Sequence, residues 1–126
     1  MNYENKAEPR GLKIRTREFA MRVIRLYGAL PNATVAQVLG KQLLRSGTSV
    51  GAHYREATRS RSDAEFITKL EVGLQELEES AYWLELLIEA KVISKKRLDD
   101  RCQEINELIA IFITCVKKTK ARVKLR

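Results

Sequence analysis

The chain has 126 residues, 44% of them hydrophobic and 32% charged, with a net charge of +8. That length carries one domain, able to bury around two-thirds of the surface its unfolded chain exposes. Six glycines and two prolines are too few for a turn-rich β-sandwich, and the longest apolar run, Leu108 to Val116, is far short of the ~20 residues that span a bilayer.

The charge is unevenly spread. Residues 1–62 carry 12 Lys/Arg against 4 Asp/Glu, residues 63–91 carry 2 against 8, and residues 92–126 carry 10 against 4. Basic outer segments can attract nucleic acid or an anionic surface, and the acidic middle can instead neutralise them from within the protein.

In chain order, residues 1–12 contain Pro9 and Gly11, lack periodicity and read as a loose lead-in. Met1–Gly11 is polar and charged, so no signal peptide is read there; the expected location is the cytoplasm, with no membrane partner. A first helix is expected over 14–29, with Phe19, Val23, Leu26 and Leu30 on one face and Gly28 and Pro31 at its end. Asn32 or Thr34 is the expected cap of a second helix over 35–60. At roughly 100° per residue its seam is Leu39, Leu43, Ser46, Val50, Tyr54 and Ala57. Lys41, Arg45, Arg55 and Arg59 lie opposite, and Gly40, Gly47 and Gly51 share a third sector. Each interior glycine costs about 0.8–1 kcal/mol relative to alanine, so close packing against another helix is the expected return. Gly47-Thr48-Ser49 lacks the lysine and the preceding strand of a phosphate loop.

Ser62-Asp63-Ala64-Glu65 has the form of a capping box and opens a third helix over 63–90. Its seam is Phe66, Leu70, Gly73, Leu77, Ala81, Leu84 and Ile88, flanked by the acidic stripe Glu71, Glu78, Glu85 and Glu89. Ser94 caps a fourth helix over 95–120, whose seam is Leu98, Cys102, Ile105, Ile109, Phe112 and Val116. The stretch 117–126 reads as a basic, fraying tail that can enlarge the field of a nucleic-acid surface. Four amphipathic segments with short connections make an all-α, antiparallel up-and-down four-helix bundle occupying 1–126 as one domain. Val72, Trp83, Leu86, Leu108 and Ile111 are apolar beyond what a narrow seam needs, and are assigned to a subunit interface.

Chemistry is sparse. His53 is the only histidine, so it can join neither a two-histidine metal site nor a Ser–His–Asp set; Cys102 and Cys115 would lie about 20 Å apart on one helix and cannot bridge. No enzyme, cofactor or metal is expected. The basic stripe Lys41, Arg45, Arg55 and Arg59, with Arg22 and Arg25 of the first helix, is the candidate nucleic-acid surface. Its competitors are a solvated face and a face paired with a neighbouring subunit's glutamates. No base-reading motif is present, so any contact with RNA or DNA is expected to be electrostatic and tolerant of sequence.

Leu30-Pro31, GKQLLRSGTSVGAHYREA (40–57) and SDAEFITKLEVGLQELEESAYWLELL (62–87) resemble the four helix bundle protein family. Its founding members are encoded by intervening sequences within bacterial 23S ribosomal RNA genes. The resemblance runs over about residues 19–113 and is most specific over Gln42–Glu56. It implies an up-and-down bundle, a ring-shaped homopentamer and no enzymatic activity. A related branch serves diversity-generating retroelements as a basic pentamer that binds nucleic acid and a reverse transcriptase, which implies a protein partner of that kind as the alternative role. One departure stands out: His53 occupies the position where the family usually has asparagine, whereas Glu56 is retained.

Overall fold

The computed structural model describes residues 11–125. They form four helices, α1 (Leu12–Gly28), α2 (Thr34–Thr58), α3 (Asp63–Glu89) and α4 (Lys95–Lys124), and no strand occurs among the described residues. Connections this short force consecutive helices to run antiparallel. The helices pack in the order α1 on α2, α2 on α3 and α3 on α4; α1 and α4 approach each other least, and α1 and α3 do not adjoin.

The core is the set of seams turned inward. Phe19 and Val23 of α1, Leu43, Val50, Tyr54 and Ala57 of α2, Phe66, Leu70, Leu77 and Leu84 of α3, and Leu98, Ile105 and Phe112 of α4 are all buried. The Tyr54 and Phe112 rings tilt against each other at 6.2 Å between centroids. Ser46 also lies on the buried seam, where it shares a 2.8 Å hydrogen bond with Ser80 of α3. The glycines of α2 face α1. A methyl group at Gly47 would stand 2.8 Å from a Val23 methyl, and one at Gly40 2.4 Å from Leu30, so hydrogen at these positions is what lets the two helices close.

Helix ends follow local chemistry in part. The Ser62 hydroxyl accepts from the Glu65 amide at 3.1 Å and the Ser94 hydroxyl from the Arg97 amide at 3.4 Å. The capping box is shifted by one residue, because the Glu65 carboxylate accepts from the Arg61 amide rather than from that of Ser62. Neither Asn32 nor Thr34 caps α2: the cap position is Ala33, without a side-chain bond, and Thr34 already sits inside the first turn. α3 ends with Lys91 in the left-handed region (φ 61°), which returns the Lys91 and Val92 amides to the Ile88 and Leu87 carbonyls, both at 3.0 Å.

Two expected boundaries move. α1 already begins at Leu12; the rest of the expected lead-in, residues 1–10, lies outside the described residues. The expected frayed tail is helical through Lys124. Thr119 is buried, Arg122 pairs with Asp63 at 2.9 Å and Lys120 with Glu71 at 3.6 Å, so α3 holds the last turns of α4 in place.

Candidate nucleic-acid interface

Lys41, Arg45 and Arg55 on α2 and Arg59 at its C-cap are all exposed, over about 27 Å along the helix axis. They are not equally available. Arg45 donates to a Glu76 carboxylate oxygen at 3.1 Å and to Glu79 at 3.0 Å, both on α3 of the same chain. Its acidic partners are therefore neither the expected stripe nor a neighbouring subunit. Burial alone would push the Glu76 carboxyl up, but hydrogen bonding with Glu79 and the Arg45 charge hold it below the ordinary carboxylate value; Glu79 is pushed up, first by that shared bond and then by burial. Lys41, Arg55 and Arg59 make no ion pair among the described residues.

The two arginines of α1 have different surroundings. Arg25 is exposed in the last turn. Arg22 lines a cleft of about 480 Å³ along the α1–α4 seam with Arg15, Asp100, Gln103, Glu104 and Glu107. Arg15 pairs across that seam with Glu104 and, at 2.9 Å, with Glu107. Arg22 thus looks onto acidic neighbours, a poor setting for a phosphate.

The largest concentration of positive charge lies elsewhere. The α2–α3 connection carries Arg59 and Arg61, and the Arg122–Asp63 pair fastens the end of α4 to the start of α3, at the same end of the bundle. Lys117, Lys118 and Lys124 are exposed there on ordered helix. Divided near mid-length, that half (residues 11–17, 50–76 and 109–125) carries 12 Lys/Arg against 5 Asp/Glu; the described remainder carries 9 of each. The sequence named these lysines as a frayed tail enlarging the field; the burial of Thr119 and the Arg122 pair instead hold them on ordered helix, at the same end of the bundle as Arg59.

The resemblance's one departure lies on the flank of this end. His53 Nδ1 is 3.8 Å from Glu56, whose carboxylate takes a 3.0 Å ion pair from Lys69. The Lys69 hydrogen bond, outweighing burial, holds the Glu56 carboxyl below its ordinary value. Burial raises the Cys102 thiol, away from reactive thiolate.

The surface assigned to subunit contact also needs correction. Leu108 is 0% exposed within the single chain: the bundle's own core takes it, because α4 is covered over a wider arc than its narrow seam. Val72, Trp83, Leu86 and Ile111 are half-buried. The open apolar side chains are others: Ile14, Met21 and Ile24 on α1, 40–49% exposed, Val35, Val38 and Tyr82 on α2 and α3, 51–56% exposed, and Ile113, Val123 and Leu125 on and just after α4. The seven-residue step from Ile14 to Met21, off the Phe19–Val23 face, was the sequence signal for the first group.

No helix among the described residues is long and apolar enough to cross a membrane. No curated protein matches the chain. The chain is similar to a crystal structure from Bacteroides thetaiotaomicron, described as a protein with unknown function from the S23 ribosomal protein family. The two share 41% identity over 83% of this chain and 97% of that one, with a TM-score of 0.79. The model of the 23S rRNA-intervening sequence proteins matches residues 13–114, close to the span over which the motifs alone suggested kinship. By that match and that fold, the chain belongs to the 23S rRNA-intervening sequence protein family.

Proposed function

We propose that this protein is a non-enzymatic, self-associating bundle that binds RNA or DNA electrostatically through its basic end. The observation that carries this reading is the charge asymmetry: one half of the bundle holds the whole net charge of the described residues on ordered helix. Lys117, Lys118, Lys124, Arg59 and Arg61 form the centre of the surface, and Lys41 and Arg55 continue it along α2. Ammonium and guanidinium groups on a rigid frame displace counterions from successive phosphates without reading bases, so binding is tolerant of sequence and steep in salt. Several copies in one particle multiply a weak contact. Five copies is the stoichiometry the family resemblance implies, and the cytoplasm is the proposed location.

Filter binding to a mixed pool of RNA and DNA tests this. Retention at ~50 mM salt that falls by orders of magnitude at ~200 mM is the expected result. No retention at ~50 mM overturns the reading. One observation favours a second reading, in which the particle recruits a protein such as a reverse transcriptase: Arg45 and Arg22, two of the six stripe residues, are engaged by or face acidic groups of the same chain. Capture of that partner with no retention of nucleic acid would select it.

A further inference from the structure

Two apolar faces of the molecule are open to solvent, one on the outer side of α1 and one along the α2–α3 seam. The first is the outer side of α1, opposite buried Phe19, Val23 and Leu26, where Ile14, Met21 and Ile24 share the surface with Arg17, Arg25 and a single acid, Glu18. The second runs along the α2–α3 seam. The Arg45–Glu79 ion pair fixes the register there: Val38 lies seven residues before Arg45 and Leu86 seven after Glu79, so in antiparallel helices both stand at the same level on that seam. Tyr82 lies between Glu79 and Leu86, its ring 5.1 Å from that of Trp83. The exposed carboxylates Glu78, Glu85 and Glu89 run beside this apolar strip on α3.

The faces match in character and oppose in net sign, since Glu18 is the one acid on the first and Lys41, beside Val38, the one cation on the second without an ion pair among the described residues. Arg17 and Arg25 have no ion-pair partner among the described residues, nor do Glu78, Glu85 and Glu89. From this complementarity we infer that the α1 face of one copy docks on the α2–α3 face of a second copy, apolar strip on apolar strip, with the arginines against the α3 carboxylates. The inference rests on the self-association proposed above and specifies how it is built. Because the two faces are different surfaces, the contact is heterologous: each copy uses both, and repetition closes into a ring or grows into a filament. In a ring whose axis runs along the bundles, every basic end lies on one rim.

A mixing experiment reads this directly. Met21→Glu with Ile24→Glu disables the first face, and Val38→Glu with Tyr82→Glu disables the second; all four positions are exposed, so the core is untouched. Light scattering after gel filtration should show a multimer for the wild type and a 14.5 kDa monomer for each double variant. An equimolar mixture of the two should give a heterodimer of twice that mass and nothing larger, since one good face remains on each. Should either apolar variant fail to fold, a charge pair carries the test: Arg17→Glu with Arg25→Glu should weaken assembly at least tenfold, and Glu78→Arg with Glu85→Arg in the same chain should restore it. A monomeric wild type at micromolar concentration overturns the inference. So does assembly that survives the double variants, or a mixture that stays monomeric. Loss of RNA retention by the Met21 variant from a monomeric wild type would hand the α1 face to nucleic acid instead. Wild-type retention of RNA is a separate readout, so failure of the interface and failure of the binding reading are distinguishable.

Discussion

The two halves of this bundle share four helices and one core, yet they differ in what they show to solvent. The half containing the α2–α3 connection carries a large positive excess, whereas the half containing the α3–α4 connection balances its charges. In the balanced half the ions have local work: Glu79, with Glu76 from just across the dividing line, holds Arg45, while Asp100 and Glu104 share a cleft with Arg22. In the basic half acid is scarce and spoken for: Asp63 is taken by Arg122, Glu56 by Lys69 and Glu71 by Lys120. Total charge is therefore a poor guide to a surface. What matters is the number of cations left after near neighbours are satisfied.

The comparison assumes that both halves belong to one folding unit. Phe112, fully buried at the waist against Tyr54 and Gly73, tests that. Phe112→Ala should cost about 3–5 kcal/mol and lower a single thermal transition. Two transitions would show that the halves fold separately and would break the comparison.

The next effect is the functional contrast itself. Lys117→Glu, Lys118→Glu and Lys124→Glu together should reduce nucleic-acid retention at ~50 mM salt by about 100-fold or more while leaving the melting temperature in place. Arg22→Glu with Arg25→Glu, in the balanced half, should change it by about threefold or less. Equal losses from the two sets would erase the distinction.

A smaller effect sharpens the account of Arg45. The folded-state carboxyl of Glu76 is depressed, so its stabilisation is fully present above the ordinary value of 4.5 and is lost as pH falls through the lower, folded one. Glu79, raised and half-exposed, acts in the opposite sense and more weakly. Melting curves should therefore lose about 0.5–1 kcal/mol more below pH 4.5 in the wild type than in Glu76→Gln. Parallel pH profiles would mean that the Arg45 cluster contributes nothing and leaves that arginine available to phosphate.

The smallest lies at the balanced end. Lys91 holds a left-handed conformation that glycine adopts freely, so Lys91→Gly should stabilise the protein by roughly half a kcal/mol without touching binding. A loss of stability would show that its side chain does something there beyond closing α3.

Much of the fold was written in local pattern. A 3.6-residue period places Phe19 with Val23, Leu43 with Val50, Leu70 with Leu77 and Ile105 with Phe112, because a helix has only one way to bring such residues to one side. Ser62 and Ser94 mark starts since a hydroxyl caps amides two or three residues ahead, and Gly40 and Gly47 announce close packing since nothing else repays their cost. Tertiary structure decided what depends on the partner helix. Leu108 is core and Ile14 is surface although both are apolar, because burial depends on how wide an arc the neighbours cover. Arg45 is engaged and Arg55 makes no ion pair among the described residues although both lie on the stripe, because an ion pair needs a register between segments some thirty residues apart that no single-helix period contains. The basic end is the same kind of fact: Arg59 and Lys117 are far apart in the chain, and only the packing of α4 back onto the start of α3 brings them to one end of the bundle.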